Sequence, residues 1–441
     1  MRSLFIAFLL CTIGVHAQQI LPLRERAQVI EELHRDRMEN LLPDLMRKSE
    51  LDMWILITRE YNEDPVLKTM LPPTWLNARR RTILVFSKDT TGAVKRVAMT
   101  RYGFGELFPG AWNPEKQPDQ FAALAEYVVA HNPKRIGINM SENYGITDGL
   151  SHTDYTGLYN ALPSKYRKRL QSADGLSVAW IESRTDREIE IFEELAEITH
   201  DVIAEAFSTK VITPGQTTTE DVVWWMREKI ESLGLSTWFH PTVDIQRSEG
   251  TGLYGFDGKP DEQLIQPGDL IHCDMGITYL TMNTDCQELA YVLKEGETAA
   301  PDFLQRALEE GNRVQDVFTG NFQTGRTGNE TLAMTLREAR EKAYKPQIYT
   351  HPLGTYGHSA GTTFGMWDKQ EGVPGTGDHP LRDGTTYAIE LNTKVFVKEW
   401  NREIRIMLEE AGYWKDGQLR YLDGRQKKLL LVGGNAQHLG Q

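Results

Sequence analysis

Cysteine is scarce in this sequence of 441 residues, which contains only three. Cys11 falls in the N-terminal segment, so Cys273 and Cys286 are the two that remain in the body of the chain. Two cysteines cannot form the disulfide framework that holds a small secreted domain together, so a hydrophobic core must stabilise the fold. Whether the two form a disulfide or are buried free thiols depends on a strand register that the sequence leaves open.

Positive charge is also under-represented. Lys and Arg number 49 against 62 Asp and Glu, which gives a formal net charge of −13 at pH 7. A basic run at residues 79–81 is too short to form the clustered positive surface that phosphate binding requires. The composition therefore argues against a nucleic-acid partner.

No apolar run is long enough to span a bilayer as a permanent anchor. The N-terminus has Arg2, then a short apolar stretch, then small residues up to Ala17. This pattern is typical of an export signal, so we predict that residues 1–17 are removed and that the mature protein is periplasmic or secreted, without membrane contact. Cys11 makes a lipoprotein the alternative, but Leu10 stands where a small residue is expected.

Hydrophobic patterning divides the rest of the chain into two predicted domains. Residues 18–183 combine a helical run with short apolar strands, which indicates an α/β domain. This part lacks paired His or Cys ligands and a phosphate-binding glycine loop, so we expect it to support or flank a substrate site. An amphipathic helix then opens a second domain, residues 184–441, and its second helix begins near Thr217, at capping-box spacing from Glu220.

Two carboxylates interrupt predicted strands of the second domain. Asp274 and Asp285 lie eleven residues apart in GDLIHCDMGITYLTMNTDCQELAYVL, residues 268–293. Asp is depleted in strand interiors, and a buried ionised carboxylate without a partner costs several kcal/mol. A positive charge is therefore expected between them, and a hairpin rim that faces water is the alternative.

Further candidate ligands follow toward the C-terminus. GTYGHSAG places His358 between glycines, whose lack of side chains lets the imidazole project from a close-packed loop. Glu390 lies in the strand-like run LRDGTTYAIELN, and Glu409 and Glu410 end another in IRIMLEEAGYWKDG. One His with several carboxylates is a mixed nitrogen and oxygen ligand set that suits Mn, Zn or Co.

The order of these residues resembles the pita-bread metallopeptidases, the family of aminopeptidase P, prolidase and methionine aminopeptidase. QPGDLIHCDMG is similar to the family's Pro-Gly-Asp strand, TPGQTTTEDV is similar to its Pro-Gly helix start, and residues 18–183 look like the N-terminal domain of its creatinase-like members. The resemblance implies an α/β N-terminal domain followed by an α+β pita-bread (creatinase/aminopeptidase) catalytic domain. It also implies a homodimer.

The same resemblance implies a site for two divalent metal ions, of which Mn is preferred over Zn or Co. The implied ligands are Asp274, Asp285, His358, Glu390 and Glu409. Such ions activate a water and polarise the scissile carbonyl, while Glu390 would also pass a proton to the leaving amine. The implied function is an Xaa-Pro aminopeptidase or a prolidase-like enzyme that acts on short peptides. A hydrolase with a non-proline or non-peptide substrate on the same scaffold, and a non-enzymatic binding module, are the alternatives.

The last ligand departs from the family's spacing. It usually follows an Arg by two residues, whereas Arg405 lies four residues before Glu409 and Met407 takes the expected place. In a register counted from Arg405, Met407 would replace a ligand. We prefer Glu409 because the continuation EEAGYWKDG resembles the family's final strand.

The family's substrate-binding histidines are also missing. One would precede the first Asp strand, where the chain has GLYGFDGKPDEQ, and another would occupy the position of Gly365. His240 and His351 are the candidate catalytic substitutes, with a structural histidine as the alternative for each. His351 is also the alternative to His358 as metal ligand. His272 alternates onto the face of Asp274, where we expect solvated packing.

Overall fold

The computed structural model describes residues 20–249 and 262–433. The predicted export signal at residues 1–17, with Cys11, lies outside the described residues, as do residues 252–261 of the segment GLYGFDGKPDEQ, which lacks the family's histidine. None of the helices in the described part combines the length and the apolar character that crossing a membrane requires.

A five-stranded mixed sheet organises the first part of the chain. Its strands are β1 Met53–Arg59, β2 Arg81–Lys88, β3 Val94–Ala98, β4 Ile136–Ile138 and β5 Leu170–Ser172, in the spatial order β3-β2-β1-β4-β5. β1 is antiparallel to β2 and parallel to β4. It is apolar without alternation because both its faces are covered, with Trp54 and Leu56 in one buried cluster and Ile55 and Ile57 in another.

Helices flank this sheet and lead out of it. They are α1 Leu23–Asp36, α2 Leu42–Lys48, α3 Pro65–Lys68, α4 Gln120–His131, α5 His152–Ala161, α6 Ser164–Arg167 and α7 Asp174–Glu182. A π-helical turn, Arg37–Leu41, joins α1 to α2 within the predicted helical run, and a 3-10 turn covers Gly145–Thr147.

Two amphipathic helices open the second part, α8 Asp186–Ala206 and α9 Thr219–Ser232. The Thr185 hydroxyl accepts a hydrogen bond from the Glu188 backbone, and the Glu188 carboxylate accepts one from the Thr185 backbone, so a capping box starts α8. The buried face of α8 includes Ile189, Phe192, Leu195, Ala196, Thr199 and Ile203. The amphipathic helix predicted from the sequence is therefore confirmed.

The capping box of α9 differs from the prediction by one residue. Thr218 caps the helix with Asp221, so the predicted pairing of Thr217 with Glu220 is wrong. The sequence TTTED, residues 217–221, contains the capping-box spacing twice, once from Thr217 to Glu220 and once from Thr218 to Asp221. Thr217 is engaged elsewhere, because its hydroxyl accepts a hydrogen bond from the Thr213 backbone at 2.9 Å.

The rest of the second part is rich in short strands. They are β6 Thr242–Gln246, β7 Leu270–Met275, β8 Thr278–Tyr279, β9 Met282–Asn283, β10 Cys286–Val292, β11 Pro346–Ile348, β12 His351–Pro352, β13 Thr385–Ala388, β14 Leu391–Val397, β15 Arg402–Leu408, β16 Ala411–Lys415, β17 Gln418–Tyr421 and β18 Leu430–Val432. They form sheets ordered β18-β10-β7-β6, β11-β14-β15, β12-β13-β16-β17 and β8-β9. The accompanying helices are α10 Asp302–Gly320 and α11 Gly328–Glu341, with a 3-10 turn at Thr376–Asp378.

The register of β7 against β10 settles the state of the two cysteines. Cys286 lies opposite Met275, and Cys273 lies opposite Glu288, so the cysteines are diagonal neighbours on one face and not a cross-strand pair. Both are buried free thiols. The disulfide alternative is therefore wrong for this structure.

Strand ends from three sheets meet at one point in the second part. The polar residues there are Asp274 in β7, Asp285 before β10, His351 in β12, Glu390 between β13 and β14, and Glu409 after β15. Backbone hydrogen bonds between Gln287 and Glu409, with N–O distances of 3.0 and 3.4 Å, join two of these sheets.

Candidate metal centre

Potential ligand atoms converge in two groups at this point. Oxygens of Asp274, Asp285 and Glu409 all lie within 4.8 Å of one another. The same holds for ligand atoms of His351, Glu390 and Glu409. Glu409 belongs to both groups.

Several polar atoms of this cluster have no hydrogen-bond partner. Among the described residues, these orphaned buried atoms include Asp274 Oδ1, Asp285 Oδ1, His351 Nε2 and Glu409 Oε1. A buried polar group left unsatisfied costs about 1–3 kcal/mol, so orphans normally have an explanation. Here each is an atom type that binds divalent metals, and the four belong to the two groups just described. The residues present therefore fit metal ions.

The electrostatics of the cluster lead to the same conclusion. Burial, and then the charge of Glu409, raises the pKa of Asp274 to about 8. The same two causes raise the pKa values of Asp285 and Glu390 well above the ordinary range. So many buried carboxyl groups cannot all ionise at neutral pH unless cations lie between them.

His351 occupies the middle of the carboxylates. Distances from its Nε2 atom are 3.5 Å to Asp285 Oδ2, 3.6 Å to Glu409 Oε1 and 3.9 Å to Glu390 Oε2. Its Nδ1 atom lies 3.0 Å from the Pro352 carbonyl oxygen, to which it must donate a hydrogen bond. That bond leaves Nε2 as the nitrogen directed at the carboxylates, and loss of its proton would free the lone pair for a metal ion, the usual arrangement of a ligating imidazole.

His358 lies beside His351 on the open side of the cluster. The ring centroids are 4.6 Å apart, and ligand atoms of Asp285, His351 and His358 lie within 4.8 Å of one another. The side chain is exposed. Burial of part of the ring, and then the charge of His351, lowers the pKa of His358 to about 4, so its imidazole is neutral at physiological pH. The structure thus brings both candidate histidines to the cluster.

The glycine before His358 has a specific packing role. A Cβ atom on Gly357 would lie 2.3 Å from the Trp238 ring, so only glycine allows the loop to approach that ring. The Trp238 ring centroid lies 5.2 Å from that of His358, and its Nε1 atom donates to the Thr284 carbonyl at 2.8 Å. Trp238 thereby links the His358 loop to the chain just before Asp285.

Gln287 is a site residue that the sequence reading missed. Its Nε2 atom donates to Glu390 Oε1 at 2.6 Å and to Glu409 Oε2 at 2.7 Å, and it lies 3.5 Å from Asp274 Oδ2. Gln287 follows Asp285 by two residues, so strand alternation would have placed both on one face.

His272 contacts the amide oxygen of Gln287. Its Nε2 atom lies 3.0 Å from Gln287 Oε1, and its Nδ1 atom lies 3.0 Å from Asp244 Oδ2. Burial alone would lower the pKa of His272, but the charge of Asp244 raises it. The expected solvated packing is wrong, because His272 is buried and supports the cluster through Gln287.

The other two open questions from the sequence concern Glu409 and His240. The Glu409 carboxylate lies in both ligand groups, which favours it over Met407 as the last ligand. His240 contacts the α9 residues Arg227 and Trp224, with Nδ1 3.1 Å from Arg227 Nη1 and its ring 5.3 Å from that of Trp224. The groups of ligand atoms found in the described part do not include His240.

Comparison with known proteins agrees with this fold. A pita-bread fold around clustered carboxylates and histidines places the chain among the metallopeptidases. More particularly, the model of metallopeptidase family M24 matches residues 190–412, just over half of the chain, so the chain belongs to that family. The predicted family resemblance is confirmed. No curated protein matches the chain.

Solved structures match nearly the whole chain at low sequence identity. X-Pro aminopeptidase from Thermotoga maritima MSB8 is 16% identical, with a TM-score of 0.61 over 88% of this chain and 100% of that chain. Xaa-Pro dipeptidase from Bacillus anthracis is 17% identical, with a TM-score of 0.59 over 92% and 99%. The N-terminal domain of FACT complex subunit SPT16 from Eremothecium gossypii is 13% identical, with a TM-score of 0.58 over 94% and 100%. These likenesses confirm the predicted fold class, an α/β domain followed by a pita-bread domain.

Proposed function

We propose that the protein is a dinuclear metallopeptidase that cleaves short peptides at Xaa-Pro bonds, as an aminopeptidase or a dipeptidase. The observation that carries the proposal is the pair of three-ligand groups that share Glu409, with orphaned buried atoms in both. Two similar structures are of an X-Pro aminopeptidase and an Xaa-Pro dipeptidase, which supports this substrate class over a non-peptide substrate.

Asp274, Asp285 and Glu409 would hold one ion, and His351, Glu390 and Glu409 the other. Neither set contains a thiolate, and carboxylates dominate both, so Mn²⁺ suits the site better than a softer metal. Bound ions of this kind polarise a scissile carbonyl and activate a water.

The two histidines would then have different roles. His351, with its lone pair among the carboxylates, is the better ligand. His358, exposed and neutral, would contact the substrate at the open side of the site. This assignment reverses the preference drawn from the sequence, where flanking glycines favoured His358 as the ligand.

Glu390 is the group best placed to hold and move a proton. As the family resemblance implies, Glu390 would pass a proton from an activated water toward the leaving amine. The Gln287 amide fixes one oxygen, Oε1, at 2.6 Å. The other oxygen, Oε2, lies 3.9 Å from His351 Nε2 and would hold the ion, so proton transfer toward a leaving amine would involve the oxygen that Gln287 orients.

Trp238 and Phe239 provide the apolar surface that a proline ring would require. Their ring centroids are 4.5 Å apart, and the Trp238 ring also packs against His358. The two rings meet edge-to-face, at an interplanar angle of 63°, and an apolar aromatic corner of this kind would suit a rigid pyrrolidine ring better than a polar side chain. A homodimer and export after removal of residues 1–17 complete the proposal.

Variants of the histidines test the assignment. We expect His351→Ala to bind one Mn²⁺ fewer than the wild type by calorimetry and to lose at least about 100-fold in kcat on Xaa-Pro peptides. His358→Ala should retain both ions while kcat/KM falls about 10-fold or more. His240→Ala is the control and should match the wild type. Loss of an ion in His358→Ala, and not in His351→Ala, would overturn the assignment.

A further inference from the structure

A second group of potential ligands lies behind the candidate catalytic centre. One ligand atom each of His200, Cys286 and Glu410 lie within 4.8 Å of one another. Cys286 directly follows Asp285 and Glu410 directly follows Glu409, and successive side chains of extended chain point to opposite sides. We propose that His200, Cys286 and Glu410 form a separate site for one transition-metal ion, with Zn²⁺ the best match.

The imidazole of His200 has the surroundings of a metal ligand. In α8, its Nδ1 atom lies 2.7 Å from Asp423 Oδ2, and its Nε2 atom lies 3.0 Å from Glu410 Oε2. Ligating histidines commonly give their second nitrogen to a carboxylate, which orients the ring and makes the first nitrogen a better donor. Asp423 is in that position, so Nε2 is the nitrogen directed toward the Glu410 side of the group.

The donor types select the class of ion. One imidazole nitrogen, one thiolate sulfur and one carboxylate oxygen form a mixed set that suits Zn²⁺, whereas Mg²⁺ and Ca²⁺ require oxygen. Zn²⁺ lies about 2.0–2.3 Å from such ligands, so atoms a few ångströms apart can close around it by small side-chain adjustments. The catalytic candidates contain no sulfur, so the two sites differ in the metals that they prefer.

Glu288 offers a further carboxylate beside this group. It is two residues beyond Cys286, faces the same side of β10 and is buried. Glu288 is therefore a further available ligand for the ion.

Metal binding must displace the thiol proton of Cys286, and any proton on Nε2 of His200, to solvent, because the thiolate and the free imidazole nitrogen are the forms that bind the ion. The bound ion would tie α8 to β10 and to the end of β15, and so hold the two strands from which Asp285 and Glu409 project.

Cobalt spectroscopy tests the site without relying on peptidase activity. The full chain, stripped by chelator and titrated with Co²⁺, should develop thiolate-to-cobalt charge-transfer absorption in the near ultraviolet. Cys286→Ser should abolish that absorption and bind one Co²⁺ fewer. Cys273→Ser is the matched control, since Cys273 is a second buried thiol on the same face, and it should retain the absorption.

Three results would overturn the proposal. They are Co²⁺ binding without charge-transfer absorption, absorption that persists in Cys286→Ser, and absorption lost only in Cys273→Ser. If Cys286→Ser does not fold, X-ray absorption of the zinc-loaded wild type decides the question. A zinc–sulfur distance near about 2.3 Å supports the site, and a shell of nitrogen and oxygen alone excludes it.

Discussion

Individual side chains determine how the carboxylates of the candidate metal centre are held, and Gln287 is the main example. One amide nitrogen reaches Glu390 and Glu409, while its oxygen is held by His272, which is held in turn by Asp244. This chain of contacts restricts the rotamers of the ligand carboxylates before any ion binds. Supporting contacts of this kind commonly tune metal affinity.

Replacing Gln287 by Ala removes the donor that orients Glu390 and Glu409. We expect Mn²⁺ affinity, measured by calorimetry, to fall about 10–100-fold. Tyr291→Phe is the control, because Tyr291 lies on the same strand face but donates to Glu297. Unchanged or tighter Mn²⁺ binding by Gln287→Ala would contradict this role.

A buried carboxyl group in the first domain gives a pH-dependent prediction. Asp64 caps α3, accepting from the Leu67 backbone at 2.9 Å, and accepts from Asn139 Nδ2 at 2.9 and 3.1 Å. Burial raises the pKa of Asp64 to about 6, so between about pH 4 and pH 6 the folded state binds more protons than the unfolded state. The contribution of Asp64 to stability therefore falls as pH rises through that window.

Asp64→Asn retains an acceptor but cannot ionise. Its stability relative to the wild type should rise by up to about 3 kcal/mol from pH 4 to pH 7, measured by urea unfolding. Asp44→Asn should show the opposite sign, because a hydrogen bond from Lys48 lowers the pKa of Asp44. A pH-independent difference between Asp64→Asn and the wild type would exclude a raised pKa.

Among the elements of the fold, the loop that carries His358 depends on close packing against Trp238. Gly357→Ala would force a Cβ atom into that ring. We expect a loss of about 1–3 kcal/mol in unfolding free energy and a lower kcat/KM, since the ring and His358 must move. Gly145→Ala is the control, because nothing lies within 4 Å of its added Cβ. If Gly357→Ala matches the control in both measurements, this packing does not position the loop.

The sequence predicted elements better than it predicted contacts between them. The apolar run of β1, the amphipathic α8 and the strands around Asp274 follow from local periodicity. The choice between His351 and His358 does not, because it depends on where β12 pairs with β13. The same holds for the cysteines, whose diagonal placement results from the register of β7 against β10. Strand alternation predicts that Gln287 shares a face with Asp285, but an uncharged amide is not an obvious candidate for a metal site.

At the scale of the whole molecule, a buried ion-pair network connects the N-terminal helices to the second part. Arg37 Nη1 donates to both oxygens of Glu188 at 2.8 and 3.0 Å and to the Ser183 carbonyl at 2.9 Å. Arg184 approaches the same carboxylate at 3.4 Å. Burial alone would raise the pKa of Glu188, but the two arginines lower it, so its stabilising contribution is present at neutral pH and is lost as pH falls.

Glu188→Gln would leave two buried arginines without their counter-charge. We expect a loss of about 3–5 kcal/mol in unfolding free energy at pH 7, with a smaller difference from the wild type in acid. Glu190→Gln, which breaks an exposed pair with Arg187, should cost less than about 1 kcal/mol. Equal losses in the two variants would show that the buried network does not hold the two parts together.

The most direct test of the central proposal is release of the N-terminal residue from matched Xaa-Pro and Xaa-Ala peptides. The protein is assayed loaded with Mn²⁺ and after removal of metal by chelator. We predict cleavage of Xaa-Pro bonds that disappears with the chelator and returns when Mn²⁺ is restored. No cleavage of any peptide by the Mn²⁺-loaded protein would contradict the proposed function, as would cleavage that survives complete metal removal.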